Sequence, residues 1–286
     1  MLTLGLASVV AFVVGSLWGK SLAGQGITSD NALLKQQKFF VLLIVAIAVI
    51  FVALIILDKS NLNSLLPQLF PPIILIYLAG WYHRIIFVAG FFILGLLLFI
   101  ELNGKYNRRK LSQLIAALTL ISCVLSILGY CLQPVDKLLQ ESKIENGVVM
   151  QTTFYTCAPS AIATLARHSK IQPNLTEAQA IRHTHTNRFG TTTLKEIEAM
   201  QELNLNPEYK HNLKIEDLIE TDQLALLHVK ERNKDDAGVR FAHAVALLAT
   251  DPQKQLFVIG NPYYGLQIKT ARDMQDYWFG EAILVR

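Results

Sequence analysis

The sequence predicts an N-terminal α-helical transmembrane bundle of four or five spans followed by a water-soluble α+β domain. Three observations carry this reading. Of 286 residues, 52% are hydrophobic and only 17% charged, and the mean hydropathy is +0.36, too apolar for an ordinary soluble globule. The apolar excess is confined to residues 1–134, whereas residues 140–286 have a mixed composition and enough length for one core. In that second part helical periodicities come first and short β-type runs later, the order of an α+β domain.

Apolar runs of lipid-spanning length, about 20 residues each, occur at 2–19, 38–57, 84–101 and 112–132. A fifth, 64–82, contains Pro67, Pro71 and Pro72, residues that kink a spanning helix or mark a re-entrant segment. The first run has no basic leader and no small-residue cleavage site, which favours an uncleaved helix over a signal peptide and makes the chain an integral membrane protein. Sidedness follows from the lysines and arginines. If 64–101 crosses once, Lys20, Lys35 and Lys38 share a cytoplasmic side with Lys105, Arg108, Arg109 and Lys110, and the second domain is extracytoplasmic. Five spans would set the two loops on opposite sides and nearly cancel the bias, although NGKYNRRK directly before the last run still favours an external domain.

Several function classes are disfavoured. The net charge of +4 comes without a basic stripe interleaved with aromatics, so nucleic acid is not an expected partner. The stretch GSLWGKS, 15–21, resembles a phosphate-binding loop but has three residues between its glycines where four are needed, and it ends an apolar run instead of following a strand. Cys123, Cys131 and Cys157 form no CxxC pair and no zinc-type spacing, which argues against a disulfide framework. His168, His183 and His185 have no carboxylate or cysteine at ligand spacing, so a solvated loop is the better reading and no cofactor or metal is expected.

In the second domain, residues 157–168 read as a helix with Ala158, Ala161, Ile162 and Leu165 on one face. Thr176 with Gln179 opens a second helix as a capping box, Thr193 with Glu196 opens a third running to about Asn204, and 214–220 suggests a short fourth. QLALLHV, FAHAVALLA, QLFVIG and EAILVR read as strands. The turn-forming Asp251-Pro252 joins the middle two as a hairpin. A turn centred near residue 252 makes partner numbers sum to about 504, which sets His243 opposite Asn261 on one sheet face; a slip of one residue would separate them. KERNKDDAGVR, 230–240, reads as a solvated loop that would border a cleft, and Trp278 and Phe279 as core anchors.

Cys157 falls in the first turn of its helix, where the macrodipole and unpaired N–H groups favour thiolate. Pro159 suits a first turn because it has no N–H bond to lose. Gln151, six residues upstream, is placed to supply a side-chain N–H to an acyl oxyanion together with the Cys157 N–H. Each residue has a plain structural alternative: a buried thiol, a core histidine, an Asn-Pro turn, a surface glutamine. In the order Gln, Cys, His, Asn they are the parts of papain-type chemistry.

The sequence resembles the papain-like cysteine peptidases that process double-glycine leader peptides of bacteriocins, found most often fused to peptide-exporting ABC transporters. The resemblance lies in VVMQTTFYTCAPSAIATLARH, FGTTTLKEIEAMQELNLNPEYK, AHAVALLA, VIGNPYYG and KTARDMQDYWFGEAILVR, five motifs in order across most of 145–286. It implies a papain-like α+β cysteine peptidase domain in a bacterial inner membrane, a peptide or protein substrate, and a peptide exporter as partner. By position it implies Cys157 as nucleophile, His243 as base and acid, Asn261 as the orienting residue and Gln151 as oxyanion donor. The final motif implies a closing helix and strand. The chain departs from the family in having Ala158 where glycine is usual, Asn261 where aspartate is usual, and the peptidase-like part after the membrane part. Those departures keep two other readings in view: a catalytically silent peptide-binding module, and a thioester acyl-transfer enzyme.

Overall fold

Apolar runs expected in lipid form a close-packed helix pair in the computed structural model, which describes residues 2–27, 72–102, 108–136, 139, 141–232 and 240–286. The chain divides into two compact units, Met1–Tyr130 and Cys131–Arg286. In the first, α1 spans Leu2–Gly24 and α2 Pro72–Leu102, and α3, Arg108–Cys131, lies in it up to Tyr130. A Cβ placed on Gly15 would fall 2.1 Å from the Phe92 carbonyl oxygen, one on Gly19 2.5 Å from that of Leu96, and one on Gly95 2.3 Å from that of Phe12. Only glycine permits this approach, so the GSLWG stretch is a small-residue seam between helices.

Leu4–Gly24, 21 residues with a mean hydropathy of 1.6, is the one helix among the described residues long and apolar enough to cross a membrane; Arg84–Ile100 and Ile121–Cys131 are shorter apolar stretches. Leu6, Val9, Val10, Val13 and Leu17 stand exposed on α1. The helix α2 is unbroken for 31 residues. From residue 72 onward the expected runs 64–82 and 84–101 are therefore one helix, with Pro72 its first described residue. The expected run 38–57 and residues 64–71 lie outside the described residues.

The second unit is built on a six-stranded antiparallel sheet. Its strands are β3 (Pro207–Lys210), β4 (Ala225–Arg232), β5 (Arg240–Asp251), β6 (Leu256–Asn261), β7 (Gly265–Thr270) and β8 (Trp278–Val285), in the spatial order β3-β8-β4-β5-β6-β7. A separate hairpin of β1 (Ile144–Glu145) and β2 (Val148–Val149) precedes them. Its turn, Asn146-Gly147, has positive φ at both residues, 49° and 81°, the tight-turn conformation that Asn-Gly favours.

Side chains alternate across the sheet, and both faces are covered. Leu226, Ala244 and Ala246 pack with α4 (Cys157–His168), α5 (Glu177–Thr184) and α6 (Thr193–Glu202). Leu227, Val245 and Leu247 pack on the other face with α7 (Ile215–Thr221) and α8 (Ala271–Tyr277). Two covered faces explain why β4 and β5 read as nearly continuous apolar runs. They also explain why α4 is buried from Ala158 to Ala166 and not on the single face its periodicity predicts. Gly260 lies close beneath it, since a Cβ there would stand 3.2 Å from both Thr164 and Leu248.

Of the two predicted capping boxes, one forms and one does not. The capping box Thr176–Gln179 is present at α5. At α6 the cap is Thr192 without a side-chain bond, and the predicted partner Glu196 instead accepts from His228 Nε2 at 2.8 Å. The hairpin register also differs. Four residues, Pro252–Gln255, form the turn, and the ladder runs Ala246↔Gly260, Leu247↔Ile259. Extended by one step, it brings Asn261 level with Val245, so His243 is a diagonal neighbour and not the opposite residue. A shift of two keeps parity, and both side chains remain on one face.

Candidate active site

The segment 151–156 folds back on itself before α4. Thr156 Oγ1 donates to the Thr153 carbonyl at 3.0 Å and accepts from the Thr153 N–H at 3.3 Å, so its hydroxyl is turned toward the preceding loop, and α4 starts without a side-chain cap bond. The Thr152 N–H donates to Glu177 Oε1 at 2.9 Å, and Glu177 itself is buried. The Gln151 N–H donates to the Pro262 carbonyl at 2.9 Å, tying this loop to the end of β6. Gln151 Nε2 donates to the Thr153 carbonyl at 3.0 Å, so one of its two amide hydrogens is occupied, and Oε1 is buried without a partner among the described residues.

Cys157 is the first residue of α4. Burial pushes its thiol up, Glu196 adds to the rise, and N–H groups of Ala244 and Ala158 and the charge of His228 oppose it. The helix start was expected to favour thiolate; desolvation outweighs it. The contact with the Ala244 N–H brings the sulfur to the backbone directly after His243.

His243 is 4% exposed, and its Nε2 lies 3.0 Å from Asn261 Oδ1. The direction of this bond follows from the surroundings. Asn261 Nδ2 lies 2.6 Å from Glu231 Oε2, a carboxylate that can only accept. Asn261 Oδ1 receives the N–H groups of Tyr263 at 2.9 Å and Tyr264 at 3.3 Å. The amide orientation is therefore fixed, His243 Nε2 must carry the hydrogen, and Nδ1 is the acceptor of the neutral ring. Burial holds the imidazole below its ordinary value, against the opposing effects of Asn261 and Glu231.

Among the described residues the β5–β6 pairing begins at Ala246↔Gly260, so His243 lies beyond the paired end of that hairpin. Among the described residues no side-chain hydrogen bond joins Cys157 to His243 or Gln151. The structure thus couples His243 to Asn261 directly, and brings Cys157 and Gln151 to the neighbours of that pair through backbone bonds. Aromatic rings lie beside His243: Phe154 and Phe241 have centroids 5.4 Å apart, Phe241 and Tyr263 5.9 Å, and His243 and Tyr263 6.4 Å.

Sequence reasoning missed two groups here. Lys230 to Arg232 end β4 and are no solvated loop, while residues 233–239 lie outside the described residues. Their alternation within β4 was the available signal for Glu231, but three charged residues in succession obscured it. The second group is a partly buried charge cluster near Cys157: His228 Nδ1 contacts Glu281 Oε1 at 2.7 Å, its Nε2 contacts Glu196, and the Tyr209 hydroxyl donates to Glu281 Oε2 at 2.7 Å. Desolvation opposes the charge on His228, yet the two carboxylates outweigh it and raise its pKa well above the ordinary histidine value. Trp278 is buried and donates Nε1–H to the Glu281 carbonyl at 2.7 Å, but Phe279 is 46% exposed and is no core anchor. His183 pairs with Glu202 at 2.8 Å on the surface, and no metal-competent cluster of ligands occurs among the described residues.

No family model matches the sequence, and no curated protein matches it. Among solved structures the chain is similar to the peptidase domain of Streptococcus ComA, described as a bifunctional ABC transporter involved in quorum sensing, with 23% identity, 48% of this chain and 96% of that chain covered, and a TM-score of 0.40. It is similar to a double-glycine motif protease from an AMS/PCAT transporter, solved with its leader peptide, at 16% identity over 51% of this chain and 94% of that one, TM-score 0.41. A third likeness is the peptidase domain of Streptococcus mutans ComA, at 20% identity over 49% and 99% of the two chains, TM-score 0.35. At these identities and scores the likenesses carry no part of the functional reading, which rests on side-chain geometry.

Proposed function

We propose that residues 140–286 form a papain-like cysteine peptidase anchored in the membrane by residues 1–134. Cys157 is the nucleophile, His243 the base and acid, Asn261 the orienting residue and Gln151 an oxyanion donor. The observation that carries this reading is the buried His243 Nε2–Asn261 Oδ1 bond of 3.0 Å, which commits one ring nitrogen and leaves Nδ1 as the base.

With the thiol raised and the imidazole lowered, the resting pair is neutral and proton transfer accompanies attack. Sγ adds to the scissile carbonyl carbon as Nδ1 takes the thiol proton. The carbon–nitrogen bond then breaks, the imidazolium gives that proton to the leaving amine, and the acyl group stays on Sγ as a thioester. Water deprotonated by Nδ1 hydrolyses the thioester and restores the thiol. The Cys157 N–H and the remaining amide hydrogen of Gln151 stabilise the oxyanion. The motifs of the sequence point to leader peptides as substrate class and a peptide exporter as partner, and the charge bias of the membrane part to an extracytoplasmic catalytic domain.

The Gln151 amide held on Thr153 favours a second reading, a peptide-binding module that does not cleave. A thioester acyl-transfer enzyme would share the first half-reaction and differ only in its products. Mass spectrometry of peptides from cells carrying the wild-type protein or Cys157→Ala separates these. The peptidase reading expects cleaved peptides only with the wild type, and identical peptide pools contradict it.

A further inference from the structure

Behind Asn261 lies a buried carboxylate to which the expected site residues assign no task. Glu231, on β4, is 5% exposed. Its Oε2 receives the Asn261 Nδ2–H at 2.6 Å and the Tyr277 hydroxyl at 2.7 Å, and its Oε1 the Arg232 N–H at 3.0 Å. Three donors around an acceptor-only group are the surroundings that sustain an ionised carboxylate away from water. Asn261 by itself is neutral. It orients the imidazole but cannot balance the positive charge that His243 gains when it takes a proton. Because the donor end of the Asn261 amide is on Glu231 and its acceptor end on His243, the balancing charge sits one side chain behind the ring.

We propose that Glu231 is a positioning residue of this site and that His243, Asn261 and Glu231 act as one relay, in which Glu231 fixes the Asn261 amide and stabilises the His243 imidazolium. The proposal rests on the cysteine peptidase reading. The other groups around the relay are compatible with it. Tyr277, from α8, anchors Glu231. Gln267, from β7, accepts weakly from Asn261 Nδ2 at 3.4 Å. Lys269 Nζ lies 4.1 Å from the Tyr277 ring centroid, Tyr264 donates its hydroxyl to the Arg232 carbonyl at 2.7 Å, and Arg240 donates to the Asp276 carbonyl at 3.3 Å. Phe241 and Tyr263 cover His243 with neutral rings. Among the described residues no ion pair neutralises Glu231.

The test is carbamidomethylation of Cys157 by iodoacetamide in the full chain, from about pH 4 to about pH 9, read by mass spectrometry of the Cys157 peptide so that Cys123 and Cys131 do not contribute. In the wild type the rate should rise through the ionisation of His243 to a plateau. Glu231→Gln removes the charge and keeps the shape; the acid limb should move to lower pH and the plateau rate fall about tenfold, equivalent to about 1.4 kcal/mol. Asn261→Asp added to Glu231→Gln sets a carboxylate directly on the ring and should restore the plateau with the limb above that of the wild type. An unchanged limb and plateau in folded Glu231→Gln overturns the relay. If that variant does not fold by circular dichroism, the double variant decides, and a limb no higher than the wild type's overturns it. Failure of the peptidase reading looks different: the wild-type Cys157 rate would follow a free thiol and would not change in His243→Ala.

Discussion

Cys157 and His243 are both driven toward neutrality by burial, and that sets the pH behaviour of the proposed chemistry. The base must be unprotonated, so kcat/KM should hold as pH falls below the ordinary histidine value of about 6.5 and drop only through the depressed value of His243. An acid limb centred above about 6.5 in the measured profile would contradict this. Asn261→Ala frees the imidazole and leaves Glu231 facing a void, and should lower kcat about a hundredfold. Gln151→Ala removes the proposed oxyanion donor and should cost about a hundredfold in kcat, with little change in thermal stability.

At the level of elements, the cluster of His228, Glu196, Glu281 and Tyr209 joins β4, α6, β8 and β3 near Cys157. The pKa of His228 is raised, so its contribution to stability is fully present below about pH 6.5 and is lost as pH rises through the raised value. Burial works against ionised Glu281, but His228 and Tyr209 outweigh it and lower its pKa. Its contribution is present above the ordinary carboxylate range and lost as pH falls through the lowered value. Unfolding across pH should therefore show greatest stability between these two limits. His228→Gln leaves two carboxylates without their cation and should cost about 3 kcal/mol, whereas Thr176→Ala, which removes one cap, should cost about 1 kcal/mol. Denaturant titration of the two variants distinguishes these losses. The helix of Cys157 and strands β4, β5, β6 and β8 were legible because their apolar spacing is local, whereas β7, with its alternating exposed residues, was not. The partners of Glu196 were not: a capping box and an ion pair to a residue in another element use the same carboxylate, and sequence spacing shows only the first. The His243–Asn261 pairing was legible for a related reason, since parity survives an error of two in register. Glu231 was hidden by its charged neighbours, and Asn146-Gly147 was a turn signal overlooked because its strands are only two residues each.

For the whole molecule, α1, with its glycine seam and exposed valines and leucines, is the described helix whose length and apolarity suit an anchor in lipid. Gly15→Leu should disrupt the α1–α2 pair, seen as lower recovery of folded protein from membranes. The central claim is that Cys157 cleaves peptides with His243 and Asn261. Its most direct test is incubation of the purified full chain with a peptide library, followed by mass spectrometry of the products and of Cys157. Cleavage and a transient acyl adduct on Cys157 are expected for the wild type, and neither for Cys157→Ala or His243→Ala. Cleavage that persists in folded Cys157→Ala would contradict the account.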